Sequence, residues 1–309
     1  MFKINVMKKR HWLIPYLLLL IACKQDLPEI QLVHEPLPVP VATYKDDLQT
    51  VLTKKTTLIG RVVLFQENQL VDGLVATKLT YTDRNGLPMA LFFFRVDLNQ
   101  KQLTLKPLTP EGLPRYAMQT IPDMLKTNTF AGHKVIGAVN SDFFNTTTGE
   151  PRSIVYLNGM AVRTILPEIR SYFGLTQSGK PFIGDYSVFG YQQSSIYDAL
   201  GGYHRLMQAG LKVNQTDLSV HPRTAVGFTA NNIVYFVVAD GREVNYSNGL
   251  TLAQLSEIML ALEVKEAINL DGGGSSTFVV NVPKTEVQNK PSDGVPRKVA
   301  NGWAICVTD

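Results

Sequence analysis

The sequence predicts an α+β protein with a mixed, largely antiparallel sheet and a few packed helices. Runs of β-branched and aromatic residues recur along most of the chain and are separated by short turn signals, which is typical of strands paired with their neighbours in sequence. One segment has the spacing and cap of an amphipathic helix, and no internal repeat is visible. With 309 residues, 45% of them hydrophobic, the chain can form one large domain or two small ones.

The first 22 residues have the pattern of an export signal. Four basic residues within the first ten precede a short apolar run, LIPYLLLLIA, at 13–22, which is too short for a comfortable membrane span. Cys23 completes the sequence LIAC, which resembles a bacterial lipobox. We therefore expect a lipoprotein signal peptide at 1–22, lipidation of Cys23 and a location in the bacterial cell envelope, periplasmic or on the cell surface. An ordinary signal peptide followed by a chance cysteine is the alternative.

Charge and cysteine content exclude several classes of partner. The formal charge of +4 belongs to the leader, because removing its four basic residues from the 30 Lys and Arg leaves 26 against 26 Asp and Glu. No basic surface is predicted, so nucleic acid is not expected as a partner. With Cys23 lipidated, Cys306 is left alone, which leaves neither an intrachain disulfide nor a cysteine-based metal site.

Residues 23–45 are rich in proline and lack periodicity, so we interpret them as a flexible tether between lipid and domain. The domain is predicted to span 46–309. Its first part, 46–125, is strand-rich and carries no motif that we can match to a known family. It contains three strand-like runs, LIGRVVLF, VDGLVATKLTYT and MALFFFRVDL, with a turn signal at 83–86.

The rest of the domain alternates strands with helices. We predict a short helix at 121–130, a buried strand at 134–140, a helix at 195–211 broken by its glycine pair, a hairpin at 225–239, a helix at 251–262, a strand at 267–270, a loop at 271–276 and a strand at 277–282. The helix at 251–262 has the strongest signal, because Thr251 and Gln254 fit a capping box and apolar residues follow near helical spacing.

Polar residues stand at the ends of three predicted strands, where rigid elements present side chains to a cleft. The stretches are Asn140-Ser141-Asp142, Asp240-Gly241-Arg242 and Asp271-Gly272-Gly273-Gly274-Ser275, with Arg223-Thr224 as a fourth candidate just before the hairpin. Carboxylates act as nucleophiles, acids or bases, arginines suit phosphate, and consecutive N–H groups in a glycine loop bind anions. Each stretch also has a purely structural interpretation as a turn or cap.

Stronger generic signals are missing. The glycine run fits neither a P-loop, since no GK[ST] follows it, nor a nucleophile elbow, since no glycine stands two places after its serines. No HExxH motif occurs, and the five histidines are scattered. Composition and generic motifs therefore do not identify a reaction.

Four segments resemble successive blocks of the phosphodiester glycosidase family, the family of the lysosomal enzyme that uncovers mannose 6-phosphate. They are AVNSDFFN, RTAVGFTANNIVYFVVADGR, GLTLAQLSEIMLALEVKEAINLDGGGSSTFVVN and PSDGVPRKVANGWAI, which cover roughly 130–309. The resemblance implies hydrolysis of a sugar-1-phosphodiester without an obligate metal or other cofactor. It extends to the following positions: Asn140, Arg223, Asp240, Arg242, Asp271, Gly272, Gly273, Gly274, Ser275, Ser276 and Arg297. Family members often have glycine or a small residue where this chain has Ser141-Asp142, so a different choice of substrate is expected if that loop lines the sugar site.

A mechanism consistent with these residues needs one reactive carboxylate and cationic phosphate binding. We expect Asp271 to act as nucleophile or general base at the anomeric carbon, with Asp240 or Asp142 as the second carboxylate. Arg223 and Arg242 are expected to hold the phosphate and stabilise departing charge. The leaving phosphate monoester is a weak base, so it needs less help from an acid than the alcohol released by an ordinary glycosidase.

The remaining candidates are assigned to substrate binding. Asn140 is expected to bind a sugar hydroxyl, and Thr224 and Arg297 to line the same site. The glycine loop with Ser275 and Ser276 either binds the phosphate or positions Asp271.

Two other function classes stay open. The first alternative to the glycosidase is a glycan-binding lipoprotein that keeps the fold without catalysis. The second is a metal-dependent phosphodiesterase in which Asp142, Asp240 and Asp271 supply oxygen ligands to Ca²⁺ or Mg²⁺. In each case the expected partners are a phosphodiester-linked glycan and, through the N-terminal lipid, the membrane.

Overall fold

The computed structural model describes residues 47–308. The predicted signal peptide at 1–22, Cys23 and the tether at 23–45 lie outside this part of the chain and stay predictions. Within the described residues, no helix has the length and apolar character needed to cross a membrane. Four α-helices are present there: α1 Leu48–Lys55, α2 Ile121–Thr127, α3 Tyr186–Gln192 and α4 Leu252–Ala261.

Eighteen strands account for most of the regular structure between 47 and 308. In chain order they are β1 Arg61–Val71, β2 Leu74–Thr82, β3 Pro88–Asp97, β4 Leu103–Leu108, β5 His133–Asn140, β6 Val155–Leu157, β7 Met160–Arg163, β8 Ser171–Thr176, β9 Pro181–Asp185, β10 Ile196–Gly201, β11 Arg205–Gln208, β12 Leu211–Lys212, β13 Arg223–Thr229, β14 Ile233–Ala239, β15 Val264–Leu270, β16 Phe278–Asn281, β17 Thr285–Val287 and β18 Gly302–Thr308.

The strands form three sheets. The largest has eight strands in the order β1-β2-β3-β14-β13-β15-β11-β12, and the two five-stranded sheets have the orders β17-β16-β5-β18-β4 and β7-β6-β10-β8-β9. The pairings that build them run antiparallel. The α+β class with largely antiparallel sheets is therefore confirmed, and so are the predicted hairpin at 225–239 and the strands at 134–140, 267–270 and 277–282.

Strand β3 shows why the hydrophobic runs are continuous rather than alternating. Its Leu91 and Phe93 pack with α4 on one face of the large sheet, while Phe92 and Phe94 face the other two sheets. On that second face Phe94 stacks on Phe278 of β16 with ring centroids 3.9 Å apart. A strand that is buried on both faces needs apolar side chains at every position. Its sequence therefore does not show the alternation of apolar and polar residues that is typical of a half-buried strand.

Helix α4 begins where its sequence predicts. The Thr251 hydroxyl accepts the Gln254 N–H at 3.2 Å, and the Gln254 side chain accepts the Thr251 N–H at 2.9 Å, which is a complete capping box. The helix then buries Leu255 and Met259 against the large sheet. This packing holds β13, β14 and β15, whose ends build the site described below.

The helix predicted at 195–211 is wrong. The structure has β10 and β11 there, joined through Gly202 and Tyr203. Strand β10 fills the gap between β6 and β8, and a Cβ at Gly201 would lie 2.1 Å from Cβ of Ser153. A short apolar run with a glycine pair does not distinguish a buried strand from a helix, and here the neighbouring strands decide.

Candidate active site

The candidate site lies where β5 and β15 end and β13 begins. Asp271 follows β15, and its N–H donates to the Ser141 carbonyl oxygen at 2.7 Å. Asn140 of β5 donates from Nδ2 to the Asp271 carbonyl oxygen at 2.7 Å, and its Oδ1 accepts from Thr224 Oγ1 at 2.9 Å and from the Thr277 N–H at 3.0 Å. This buried amide therefore joins three strand ends into one rigid unit.

These contacts change the expected roles of Asn140 and Thr224. Both side chains are fully buried and are used on each other and on the backbone. They therefore hold the carboxylate-bearing loops in place rather than facing a ligand, and the prediction that Asn140 binds a sugar hydroxyl finds no support in this geometry.

Two carboxylates, Asp142 and Asp271, meet at this junction. Asp271 is partly accessible, whereas Asp142 is 1% exposed. Burial raises the pKa of Asp142 to about 7, although Arg170 opposes the increase, while the charge of Asp271 adds to it. Burial also raises the pKa of Asp271 to about 6, against the effects of Ser275, the Gly272 N–H and Arg297. The more accessible carboxyl group is thus the more readily ionised one.

The buried carboxylate is held on one side only. Asp142 Oδ2 accepts the Ser153 N–H at 2.8 Å, and the Asp142 N–H donates to Asn301 Oδ1 at 2.9 Å. The other carboxylate oxygen of Asp142, Oδ1, has no hydrogen-bond partner among the described residues and lies 3.6 Å from Nη1 of Arg170. Oδ1 therefore remains free to keep a proton or to accept one.

Arg170 is the main site residue that the sequence did not reveal. Its guanidinium lies 5.2 Å from the ring centroid of Phe143 and 4.8 Å from that of Tyr203, and Nη1 donates to the Gly202 carbonyl oxygen at 3.3 Å. Two aromatic faces thus orient a planar cation beside Asp142. The positive charge of Arg170 also acts to lower the pKa of Asp271.

The three glycines bring two more arginines to the site. A Cβ at Gly273, whose φ is +62°, would lie 3.1 Å from Nη1 of Arg242, and a Cβ at Gly274 would lie 2.3 Å from Nη2 of Arg297. The run of glycines therefore lets two guanidinium groups approach the backbone directly after Asp271. Arg242 is exposed and donates to His221 Nδ1 at 3.2 Å, while Arg297 Nε donates to Asp293 at 2.8 Å.

Four N–H groups of the loop at 272–276 are used in hydrogen bonds within the protein. Gly272 donates to Asp271 Oδ1 at 2.9 Å, and Gly273 donates to the Pro222 carbonyl oxygen at 2.9 Å. The N–H groups of Ser275 and Ser276 close a tight turn onto Gly272 and Gly273 at 3.2 Å each. Of the two roles expected for this loop, the geometry favours positioning of Asp271 over an anion-binding nest.

The hydroxyls of Ser275 and Ser276 are buried and make no hydrogen bond within the described residues. Ser275 nevertheless lies close enough to Asp271 to lower the pKa of that carboxyl, although its geometry falls short of a hydrogen bond. Both serines therefore belong to the immediate surroundings of the site.

Arg223 supports the rim of the site. Its Nε donates to the Leu250 carbonyl oxygen at 3.1 Å and its Nη2 to the Ser219 carbonyl oxygen at 2.8 Å, and Asp217 lies 3.8 Å away. Because two of its three nitrogens hold neighbouring loops, Arg223 contributes charge to the site more than free hydrogen-bond donors.

Asp240 differs from the other two carboxylates. Its oxygens accept hydrogen bonds from Asn289 Nδ2 at 2.8 Å, the Lys290 N–H at 2.7 Å and the Tyr246 hydroxyl at 3.0 Å. Burial raises its pKa, while these hydrogen bonds act in the opposite direction. A carboxylate with three partners anchors the loop after β17, and this geometry favours a structural role for Asp240 over catalysis.

The same contacts bear on the metal hypothesis. Within residues 47–308, no group of three or more His, Cys, Asp or Glu residues is arranged to hold a metal ion. Asp142 and Asp271 meet, but Asp240 uses its oxygens on the protein. A Ca²⁺ or Mg²⁺ ion would thus lack Asp240, one of the three predicted ligands.

Comparison with known proteins identifies the family. Residues 133–306 match the phosphodiester glycosidase family. The chain belongs to this family. The matched region contains the predicted site residues from Asn140 to Arg297, while β1–β4 precede it.

Two curated relatives agree with this assignment. The chain is 25% identical over 197 residues to the bovine N-acetylglucosamine-1-phosphodiester alpha-N-acetylglucosaminidase and 26% identical over 203 residues to the mouse enzyme. These alignments cover 55% and 58% of this chain but only 36% and 38% of the relatives, so the chain spans little more than a third of their length.

Two solved structures share the fold. The catalytic domain of the zebrafish enzyme of the same name, auto-inhibited by its pro-peptide, superposes with a TM-score of 0.58 at 20% identity over 82% of this chain and 87% of that one. A hypothetical protein from Synechocystis gives a TM-score of 0.59 at 12% identity over 79% of this chain and 64% of that one. Both coverages include strands outside the family match.

Proposed function

We propose that this protein is a phosphodiester glycosidase that hydrolyses a sugar-1-phosphodiester to the free sugar and a phosphomonoester. The observation that carries the proposal is one partly accessible carboxylate, Asp271, on which the charges of Arg170 and Arg297 act, with the guanidinium group of Arg242 against the glycine loop that follows it. Membership of the phosphodiester glycosidase family and similarity to the bovine and mouse enzymes support this reaction class.

The phosphodiester is held by cations in this proposal. A phosphodiester carries one negative charge, and planar guanidinium groups bind its oxygens with short, charge-assisted hydrogen bonds. Arg242 and Arg297 approach from the glycine loop and Arg170 from the aromatic pair. Negative charge grows on the phosphate as the C–O bond breaks, so the same groups stabilise the transition state.

Asp271 then acts at the anomeric carbon. With a pKa of about 6, it is largely ionised at neutral pH and serves as the nucleophile or as the base that activates water. Retention of the anomeric configuration indicates the first role and inversion the second. The anomeric oxygen leaves with the phosphate, and the sugar gains an oxygen from water.

Asp142 is the second carboxylate in this proposal. Its raised pKa of about 7 and an Oδ1 without a hydrogen bond among the described residues allow it to carry a proton near neutral pH. The phosphate leaving group is a weak base, so Asp142 assists departure less than the acid of an ordinary glycosidase does.

The proposal is tested with purified protein and an N-acetylglucosamine α-1-phosphodiester of methanol, with and without chelator. We expect sugar release by the wild type, no effect of chelator, and a loss of at least about 100-fold in kcat in Asp271→Asn, the range for removing an essential base. Gln177→Ala, an exposed amide in a separate cavity, serves as the matched control.

The other outcomes separate the alternatives. Activity lost on chelation and restored by Ca²⁺ or Mg²⁺ would establish the metal-dependent phosphodiesterase. Binding of sugar phosphodiesters without turnover would establish the glycan-binding lipoprotein. Full activity of a folded Asp271→Asn would show that the role of Asp271 is wrong.

Export and lipid anchoring are part of the proposal and rest on the pattern of residues 1–23. A thioether-linked lipid on Cys23 would tether the domain without spanning the membrane. Fatty-acid labelling of the protein in a bacterial host tests this, and Cys23→Ser should lose both the label and the membrane fraction. Label that persists in Cys23→Ser would contradict it.

A further inference from the structure

The proposed function requires a place for the sugar. Because Asn140 is used inside the protein, the hydroxyl groups need other partners. A cavity of about 260 Å³ opens beside Arg170, between residues 168–171, the end of β9 and residues 204–205 and 213–215. We call it the Arg170 cavity.

The free polar groups of the Arg170 cavity are of the kind that binds neutral hydroxyls. Glu168 and Asn214 are exposed, and neither side chain takes part in any hydrogen bond or ion pair described for residues 47–308. Gln215 uses its Nε2 on the carbonyl oxygens of Arg205 and Val213, which leaves its Oε1 available as an acceptor. Donors and acceptors thus stand side by side, as paired hydroxyls require.

The floor of the Arg170 cavity is closed by an ion-pair network. Arg205 contacts Asp185 at 3.2 Å and also pairs with Glu266, so these three charges are used on each other. Burial lowers the pKa of His204 below its usual value, so its imidazole carries no charge at pH 7 and above. Apart from Arg170, the free charge of the lining is thus the carboxylate of Glu168, which suits an uncharged polyol better than a second phosphate.

Arg170 connects this cavity to the reactive groups. Arg170 is one of the residues that line the cavity, and its guanidinium lies 3.6 Å from Asp142 and lowers the pKa of Asp271. A phosphate held at Arg170 would therefore have its sugar substituent in the cavity that Glu168 and Asn214 also line. With about 260 Å³, the space falls just below the range of about 300–1,000 Å³ for drug-sized ligands and fits one monosaccharide.

We propose that the Arg170 cavity is the sugar subsite, in which Glu168 and Asn214 bind hydroxyl or N-acyl groups of a single sugar attached to the phosphate. This inference rests on the proposed function. It adds the location of the sugar and two residues that determine which sugar is accepted.

The test measures binding without turnover. Wild type, Glu168→Gln and Asn214→Ala are titrated calorimetrically with the 1-phosphates of N-acetylglucosamine, glucose and mannose, and with methyl phosphate, which has the anion but no sugar. Both substituted side chains are exposed, so folding should be unaffected. Gln177→Ala is again the control, because it is an exposed amide in a different cavity.

We expect wild type to prefer at least one sugar 1-phosphate over methyl phosphate. Each substitution should weaken that sugar 1-phosphate by about 3- to 10-fold, the range for one lost hydrogen bond, and leave methyl phosphate and the control unchanged. An unchanged affinity in both variants, an equal loss for methyl phosphate, or no preference in wild type would overturn the subsite.

Failure of the subsite and failure of the function are distinguishable. Hydrolysis of the methyl phosphodiester without any effect of Glu168→Gln or Asn214→Ala refutes only the subsite. Sugar-dependent binding without hydrolysis of any tested phosphodiester refutes the proposed reaction and leaves the cavity as a carbohydrate-binding site.

Discussion

Replacing Gly274 by alanine separates the role of the glycine loop in stability from its role in activity. A Cβ at this position would lie 2.1 Å from Asp293 Oδ2 and 2.3 Å from Arg297 Nη2. Both atoms are the far ends of flexible side chains, and Gly274 is not among the glycines with positive φ. The substitution therefore displaces the ion pair and leaves the backbone unstrained.

The expected cost in stability is small. The Asp293–Arg297 pair is 2.8 Å long with 36% and 38% of its side chains exposed, and exposed ion pairs contribute about 0–1 kcal/mol. We expect the free energy of unfolding to fall by at most about 1 kcal/mol, which lowers Tm by about 2–4 °C for a domain of this size.

The expected cost in activity is larger. If Arg297 donates to the substrate phosphate, its displacement removes a hydrogen bond to a charged group, which is worth about 1.5–3 kcal/mol, or about 10- to 100-fold in kcat/KM. Kinetics on the methyl phosphodiester and thermal unfolding of the same samples measure both quantities. Gly190→Ala is the control, because nothing lies within 4 Å of the added Cβ.

Two results would refute this reasoning. Wild-type kcat/KM in Gly274→Ala would show that Arg297 does not bind the phosphate. A fall in Tm well beyond that of an exposed ion pair would show that the glycine accommodates the fold itself.

Three further predictions follow from the buried polar groups. Asn140→Ala loses three hydrogen bonds and should lower the free energy of unfolding, measured by urea denaturation, by about 2–4 kcal/mol. A change below about 1 kcal/mol would contradict the conclusion that Asn140 holds the strand ends together. Asp240→Asn replaces one of the two accepting oxygens by an NH2 donor that faces one or two of its three partners. It should destabilise by a similar amount of about 2–4 kcal/mol, whereas a loss of kcat at unchanged stability would return Asp240 to catalysis. Burial raises the folded-state pKa of Asp142 from 3.8 to about 7, so its contribution to stability is full below pH 3.8 and is lost as the pH rises toward 7. The variant Asp142→Asn should therefore show a smaller decline in the free energy of unfolding over this pH range. An identical pH profile in the variant and the wild type would refute the raised pKa.

Much of the fold could be predicted because local signals and tertiary packing agree. The capping box at Thr251 and Gln254 forms as the residues indicate, and the hairpin of β13 and β14 surrounds its predicted turn. The helix predicted at 195–211 is wrong because local signals and tertiary packing disagree in this segment. Ala199 and Leu200 suit a helix locally, but β6 and β8 leave room only for a strand between them.

The candidate site could be predicted only where its residues share a motif. Asp271 and its glycines are adjacent in sequence, and Asp142 follows a recognisable strand. Arg170 stands in a loop between β7 and β8 without any pattern of its own. Its orientation comes from Phe143 and Tyr203, which the three-dimensional arrangement of the sheets brings beside it.

The roles of the predicted residues depended on hydrogen-bond partners that a sequence does not show. Asp240 and Asp271 both follow a strand and precede glycine. One accepts three hydrogen bonds from side chains and backbone, while the other remains partly accessible. The difference arises from Asn289 and Lys290, which lie about fifty positions from Asp240 in the chain.

The most direct test of the central claim is the position of the bond that breaks. Hydrolysis of the N-acetylglucosamine α-1-phosphodiester of methanol in ¹⁸O-water, followed by mass spectrometry, shows which product takes up the label. Attack at the anomeric carbon beside Asp271 predicts ¹⁸O in the sugar and none in the methyl phosphate. Label in the phosphate product would mean that the P–O bond breaks, and the protein would then be a phosphodiesterase rather than a glycosidase.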